Sequence, residues 1–364
     1  QTGGSVRDFI VIGGGIAGIS AAARLSELGR VVVLERESAL GYHTSGRSAA
    51  MFEETYGKPS VVALNRASKT YLAQAHGGVL SPRGLLMVGT PETADKFAAD
   101  AAAMEMQAIT VDEAVALWPI LNREVVDRAA FHHEAWDIDT DRLIQDFARV
   151  VRGNGGEIVS KAEVTAITRT AQGWRVEAGA VYEGAVLVNA AGAWVDVVAA
   201  MAGIAPIGFT PLRRSMARIP APGGRDAGGW PMLMGAGEDW YAKPDAGALI
   251  VSPAEEDPSV PHDAFADDMV LAKGLARYEE HVTEPVTRML SNWAGLRTFA
   301  PDRQLVLGPD PVDSGFVWVA GQGGYGFQTS PAASQLVADL VAGRTSGLAP
   351  EVLAAVSPQR FREG

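Results

Sequence analysis

The 364-residue sequence contains no cysteine. That absence excludes disulfides, iron–sulfur clusters, thiolate zinc sites and any cysteinyl cofactor linkage, so redox chemistry in this chain has to come from a bound organic cofactor. Cationic residues are also in deficit: 31 Lys and Arg stand against 43 Asp and Glu, a formal net charge of −12. A phosphate backbone is held by clustered Lys and Arg, so no nucleic-acid partner is expected. No apolar run approaches the roughly 20 residues of a membrane-spanning helix, so no transmembrane segment is expected. No charged-then-apolar leader precedes the first apolar stretch either. The expected location is the cytoplasm, with peripheral attachment at the inner membrane as the alternative. Residues 1–5, which lack an initiator Met, are read as a processing remnant and set aside. Internal repeats and low-complexity tracts are missing too, so organisation has to be read from periodicity and turn signals.

Apolar residues make up 47% of the chain, enough at this length for a large core in two domains or one elaborated one. Residues 9–12 (FIVI) read as a continuous apolar strand. Residues 16–28 follow as an Ala-rich helix with Leu25 and Leu28 on one face, and residues 30–34 as a second apolar strand ending at Glu35. Val and Ile in unbroken runs suit a parallel sheet covered on both faces. Helices are predicted over 61–75, 92–106, 139–151 and 263–281, and a hairpin over 163–179. Strands broken by Pro and Gly fill 210–251. AVLVNAAGAW (185–194) and FVWVAGQGGYGFQTS (316–330) repeat the order of strand, glycine turn and helix, the last helix beginning near Thr329. Three such units separated by other material predict a Rossmann-type α/β domain built from discontinuous segments, with a mostly antiparallel domain inserted.

Gly13, Gly15 and Gly18 form GxGxxG between the first strand and the first helix, answered by Glu35 at the end of the second strand. Gly13 permits the tight turn, Gly15 lets backbone approach a pyrophosphate, and Gly18 lets the helix pack close to the strand. The helix N-terminus, through Ile16 and Ala17, favours the phosphates, and Glu35 accepts from ribose hydroxyls. NAD and FAD share this pattern, so it leaves the dinucleotide open.

The run RVVVLERESALGYHTSGRSAA (30–50), with VLVNAAGAW, YAKPDAG, WAGLRTF and GQGGYGFQTS, resembles the FAD-dependent amine and D-amino-acid oxidoreductases. That family includes glycine oxidase, sarcosine oxidase and D-amino-acid oxidase, and bacterial D-arginine dehydrogenase is the member nearest in pattern. The resemblance covers nearly the whole chain in matching order. It implies an FAD-binding domain from residues 6–80, 137–205 and 300–364, and an α+β substrate-binding domain from 81–136 and 206–299, with FAD held non-covalently. Gly13 to Gly18 and Glu35 would form the ADP site. Arg36, His43, Thr44, Ser45, Gly46, Arg47 and Ser48 would line the pyrophosphate and flavin edge. Val164 would hold the adenine through its backbone, and Ala191, Gly192 and Trp194 would close over the ribose. The last glycine loop, with Gly321, Gly323, Gly324, Tyr325, Gly326, Gln328 and Thr329, would face the pyrimidine edge of the flavin.

An amino-acid substrate brings a carboxylate, which an arginine fork matches bidentately. Arg214 and Arg297 correspond to carboxylate-binding positions in the family, Tyr56 and Tyr241 to tyrosines that cover the substrate, and Gln328 and the Gly324 backbone are partners for the amine. Met51, Glu53, Leu85 and Met232, with Met87, would line the side-chain pocket. The arginine-oxidising member has His and Thr at positions 51 and 53 and a carboxylate at position 85. Leu85 therefore argues for apolar or uncharged side chains, and the adjacent acids Glu53 and Glu54 are expected on a solvated loop; either acid turned inward would replace the missing carboxylate and restore a preference for a cationic side chain. HHE (132–134) lacks metal-ligand spacing, so no metal is expected, while DIDTD (137–141) reads as a helix N-cap and Trp118–Pro119 as the end of a core-packed helix.

The reaction implied is hydride transfer from the α-carbon of a D-amino acid to FAD, giving an imine and then a keto acid and ammonia. Oxidation of an N-alkyl glycine or other secondary amine shares every motif. An NAD-binding reductase or a non-enzymatic nucleotide-binding module would require the resemblance to mislead. Sarcosine-type oxidases place an oxygen-activating lysine by the flavin. Residues 247–252, the matching stretch, contain none, so a dehydrogenase passing electrons to a quinone or dye-like acceptor is expected.

Overall fold

The computed structural model describes residues 7–362, and the segment read as a processing remnant lies outside the described residues. The strand Arg7–Ile12 lies in the middle of an eight-stranded sheet, between Val31–Leu34 and Val181–Asn189, parallel to both. Glu157–Val159 extends the sheet beyond Val31–Leu34. The hairpin Ala166–Thr170 and Gly173–Glu177 continues it antiparallel beyond the start of Val181–Asn189. The far end of that long strand turns to a different neighbour, Phe316–Ala320, which pairs parallel to it and antiparallel to Val306–Pro309.

Alternation along these strands decides which side chain meets which layer, because successive residues face opposite sides of a sheet. Phe9, Val11, Val33, Val188 and Val317 enter one core, shared with the helices Ile16–Leu25, Pro59–Gln74, Thr140–Gly153 and Gly326–Val341. Ile10, Ile12, Val32, Leu34 and Leu187 enter the other, with Trp174, Val195 and Trp318. Both faces are covered, as unbroken apolar strands require.

A second, nine-stranded sheet is built on the long strand Thr210–Pro220, paired antiparallel with Ser291–Phe299 from Thr210 opposite Phe299 to Arg218 opposite Ser291. Ala248–Ser252, Tyr241–Asp245, Met232–Gly235, Leu85–Gly89, Arg128–His132 and Gln107–Ile109 follow in spatial order. Every pairing is antiparallel except Met232–Gly235 with Leu85–Gly89. We propose that the two large sheets are the cores of the two domains expected from the sequence. Among the described residues no helix is long and apolar enough to cross a membrane.

The sequence reading departs from the structure in a few places, each with a physical cause. The last helix starts at Gly326, earlier than expected, because the glycine loop closes within Gly321–Tyr325. The helix near residue 263 starts at Asp268, where the Asp267 side chain accepts from the Met269 and Val270 N–H groups. Asp139 does cap the helix that follows it, accepting from Arg142 N at 3.0 Å.

The segment expected as a solvated loop is a strand, Met51–Glu53. It forms a three-stranded sheet with Ala135–Ile138 and Leu80–Pro82. Pairing Glu53 opposite Ala135 turns its side chain inward, to 4% exposure, while the next residue, Glu54, points out to Arg66 and Lys69. Lys243 ties this small sheet to the large one. Its Nζ donates to Asp137 Oδ1 at 2.9 Å and to the Ala49 carbonyl, and Asp137 also binds Arg83.

Close packing fixes the first turn. A Cβ on Gly18 would lie 1.9 Å from the Gly13 carbonyl oxygen, and one on Gly13, at φ +105°, would lie 2.3 Å from that of Ala190. Gly15 is different, since its Cβ would meet only Ser45 Oγ, at 3.2 Å. We expect Gly18→Val to lose about 1–3 kcal/mol or more of stability, and Gly15→Ala to melt close to the parent protein. Thermal denaturation reads both, and an unchanged melting temperature in Gly18→Val would refute the packing.

Candidate active site

A cavity of about 420 Å³ opens where the parallel strands end, at Ile12, Leu34 and Ala190. Two helices begin on it, Ile16–Leu25 and Gly326–Val341, and neither has a side-chain N-cap or an acidic residue in its first turn. Their positive dipole ends, and the first-turn N–H groups other than that of Ile16, are therefore available to an anionic or acceptor-rich ligand. Gly13, Gly15, Ile16 and Ala17 line the cavity, and Ile16 N donates to Ser45 Oγ at 3.0 Å. Glu35 lines it too. Its Oε2 accepts from Gly14 N at 2.7 Å and its Oε1 from Glu37 N at 2.8 Å, which leaves each oxygen a lone pair.

The segment 43–48 borders the same end. His43 Nε2 lies 2.8 Å from Glu37 Oε1, with its ring 4.9 Å from that of Trp194, and the Arg36 guanidinium sits 4.8 Å over Trp194. Thr44 Oγ1 donates to Leu296 O at 2.7 Å. Ser48 Oγ accepts from Ala50 N. Arg47 donates to the carbonyls of Ala264 and Ala294 at 2.9 Å each and pairs with Asp263, whose carboxyl it holds below the ordinary range. Arg47 thus fastens this segment to Ser291–Phe299 while lining the cavity.

At the other end stand the two predicted arginines. Arg214 is opposite Gly295 and Arg297 opposite Leu212, so the guanidinium groups project from one sheet face as diagonal neighbours. Arg214 is buried. Its Nε donates to Glu255 O at 3.0 Å and its Nη2 lies 3.5 Å from Glu256 Oε1, whereas Nη1 has no hydrogen-bond partner among the described residues. The nearest acid to Nη1 is Glu238, at 3.7 Å. Arg297 lies against the last glycine loop so closely that a Cβ on Gly324 would fall 1.7 Å from its Nη2. Burial opposes its charge, but Tyr56, Glu238 and Tyr241 outweigh that and hold it above the ordinary range. Burial opposes ionisation of Glu256 as well, yet Arg303, Arg214 and Arg297 bring its carboxyl below the usual value.

Tyr56 donates to Glu238 Oε1 at 2.7 Å, and burial pushes its phenol far above the ordinary range, so it remains a neutral donor. Tyr241 donates to Met216 Sδ at 3.6 Å. Gln328 uses both ends of its amide on the 53–56 backbone: Oε1 accepts from Glu53 N and Nε2 donates to Tyr56 O.

Between these ends the wall is apolar, formed by Met51, Leu85, Met104, Met216, Met232 and Met234. The polar exception is Glu53. Its Oε1 accepts from Thr55 N at 3.1 Å and Thr55 Oγ1 at 2.7 Å, and its Oε2 lies 2.8 Å from His132 Nδ1. Burial raises its carboxyl pKa, against the opposing bonds to Thr55 and His132. His132, from the HHE run, is thus a partner of this carboxylate.

All six residues expected to act on substrate and four of the five expected in the side-chain pocket line this one cavity, as do Val164, Ala191, Gly192 and Gly323; Met87 does not, being fully buried in the core with Ala130 and Met234. Gly18, Gly46, Gly321, Tyr325 and Thr329 do not line it. Gly18 and Gly46 are glycines because a carbonyl lies where their Cβ would be, those of Gly13 and Gly41, and Gly321 turns the chain at φ +74°. Tyr325 is the residue before the last helix, and Thr329 Oγ1 donates back to its carbonyl. Sequence reading missed Glu238 and Met234. Met234 was within reach, since it shares a strand face with Met232. Glu238 was not, because it stands in a turn at φ +51° that has no periodicity.

The donor set fits FAD. The uncapped turn at Gly15–Ala17 suits the pyrophosphate, Glu35 the ribose hydroxyls, and the uncapped start of Gly326–Val341 the acceptor edge of the flavin.

The sequence matches the family described as FAD dependent oxidoreductase over residues 8–340. It is 24% identical to the FAD-dependent oxidoreductase domain-containing protein 1 of Bos taurus over 394 aligned residues, covering 92% of this chain and 81% of that protein. Glycine oxidase from Geobacillus kaustophilus shares the fold with a TM-score of 0.83 at 22% identity, covering 97% of this chain and 98% of that one. L-proline dehydrogenase from P. horikoshii does so with a TM-score of 0.84 at 23% identity, over 99% and 98%.

The raised Glu53 pKa sets a direction for stability. A carboxyl that holds its proton more tightly when folded contributes fully below its unfolded pKa, near 4.5, and loses that contribution as pH rises through the folded value. Relative to the parent protein, Glu53→Gln should therefore gain stability as pH rises from 5, levelling off once pH passes the folded value, and be the more favoured at pH 8. Melting temperatures across that range give the difference, and a pH-independent difference would refute the burial cost.

Proposed function

The chain belongs to the FAD-dependent oxidoreductase family, and from that premise we propose that it oxidises a D-amino acid with an apolar or uncharged side chain. The imine formed would hydrolyse to a keto acid and ammonia. One observation carries this reading: two guanidinium groups on one sheet face, Arg214 buried and Arg297 partly buried, meet an apolar, methionine-rich wall in a single cavity. The preference for the D configuration rests on the sequence resemblance.

FAD, bound non-covalently with His43 engaged by Glu37, would supply the hydride acceptor. The chain's own residues would bind and orient. Arg214 and Arg297 take the substrate carboxylate, which gives Nη1 of Arg214 the partner it lacks. The Gly324 backbone is the better partner for the amine, because the Gln328 amide is already bonded at both ends. Tyr56 and Tyr241 shield the reacting carbon from water. Orientation of the α-hydrogen is then the main catalytic contribution. Leu85 and the methionines favour an apolar side-chain stem, and a guanidinium's donors against them go largely unpaired.

Anaerobic mixing with D- and L-amino acids, followed by flavin bleaching, tests the assignment. D-Leu and D-Met should bleach faster than D-Arg, and D-Arg ahead of both would overturn the side-chain preference. Primary amine released in place of ammonia would move the reading to a secondary-amine substrate. Arg214→Ala and Arg297→Ala should each lose about 2–5 kcal/mol in kcat/KM while retaining FAD. Unchanged kinetics in both would remove the carboxylate clamp.

We also propose a dehydrogenase. The strand Ala248–Ser252 carries no lysine, and Lys243, on the neighbouring strand, is bound to Asp137 and the Ala49 carbonyl. Reduced enzyme should reoxidise faster with a quinone or dye than with air, and equal rates would count against it.

A further inference from the structure

The Glu53 carboxylate is the polar group within the apolar wall, and its bonding is incomplete in a specific way. Oε1 accepts from Thr55 N and from Thr55 Oγ1, at 2.7 Å the nearer of that hydroxyl's two acceptors, the other being the Met104 carbonyl at 2.9 Å, so both sides of Oε1 are occupied. Oε2 has one partner, His132 Nδ1 at 2.8 Å, and so retains one acceptor position. The residue is 4% exposed, and the wall around it is formed by Leu85, Met51 and Met104. A buried acceptor position of a carboxylate that faces an apolar cavity costs free energy until a donor fills it.

Resting on the amino-acid reading above, we propose that Glu53 sets the substrate's side-chain class by offering Oε2 to one hydrogen-bond donor. The preferred substrate then has an apolar stem ending in a single neutral donor, a hydroxyl. Counting donors separates the candidates. A hydroxyl has one O–H and matches the one vacant position. An ammonium has three N–H and a guanidinium five, so either leaves donors unpaired against methionine and leucine. A hydrocarbon leaves Oε2 unfilled. His132 Nδ1 already takes one position on Oε2, so the carboxylate has few acceptor sites left for the several donors of a cation. Thr55 and His132 hold the carboxylate from behind, so the acceptor keeps its place without substrate.

Pairs of D-amino acids that differ only in replacing a terminal methyl by hydroxyl provide the test, at three lengths. They are D-serine with D-2-aminobutyrate, D-homoserine with D-norvaline, and D-5-hydroxynorvaline with D-norleucine, with D-ornithine and D-lysine as cationic comparators. At pH 8 the alcohol should exceed its hydrocarbon partner by about tenfold or more in kcat/KM at one of these lengths, the scale of a hydrogen bond to a charged group. It should also exceed both amines. Glu53→Gln should bring that ratio toward unity, because a neutral amide bonds a hydroxyl more weakly than a carboxylate does. Glu54→Gln, on the outer face, should leave the ratio as it is. The comparison within the parent enzyme stands even if Glu53→Gln does not fold. Hydrocarbons that bleach the flavin as well as the alcohols at every length would overturn the role of Glu53 and leave the amino-acid reading intact. A preferred amine whose advantage is lost in Glu53→Gln would overturn the donor count. Failure of every amino acid to bleach the flavin would overturn the amino-acid reading, and this inference with it.

Discussion

The contact on which the rest of the molecule depends is the approach of three backbone segments at Gly13, Gly18 and Ala190. No side chain fits between them. Because the helix Ile16–Leu25 can lie this close, its N-terminus points past the end of the central strand into open space. The neighbouring strands end at the same level, so Leu34, Glu35 and Ala190 surround that space. A steric constraint in one turn thus places the positive end of a helix dipole at the cofactor end of the cavity.

The opposite end of the cavity is organised by charge. Arg214 and Arg297 are fixed by antiparallel register on one sheet face, and acids stand near them at distances too long for good hydrogen bonds: Glu238 at 3.7 Å from Arg214 and Glu256 at 4.0 Å from Arg297. Burying cations without close partners is costly. The fold tolerates it here because carbonyl oxygens and aromatic faces, such as Glu255 O and the Tyr241 ring, supply part of the solvation.

What could be read in the sequence divides along a physical line. The Rossmann-type sheet was legible because its strands are unbroken apolar runs that meet glycine turns, a pattern local in sequence. The substrate-side residues that meet in the cavity, Arg214, Arg297, Tyr56 and Tyr241, were legible only through the resemblance to a family, since no local period marks them. Glu53 was misread because its inward direction comes from pairing with Ala135, more than eighty positions away, and nothing local reveals that strand. The strands Leu85–Gly89 and Arg128–His132 went unassigned because they too exist through distant partners. Glu238 is positioned by a turn, and turns carry no period from which a facing direction could be inferred.

The discontinuous pairing of the first sheet also sets how the chain can acquire its structure. Arg7–Ile12 is synthesised well before one of its two neighbours, Val181–Asn189, and the sheet is complete only when Phe316–Ala320 arrives. Contacts of such long sequence separation close slowly, because loop entropy is lost before the contacts reward it. Until those later strands are made, an apolar strand with open edges waits for its partners. Such an edge is prone to aggregation, and cellular chaperones or low local concentration are what would protect it until the last strand docks.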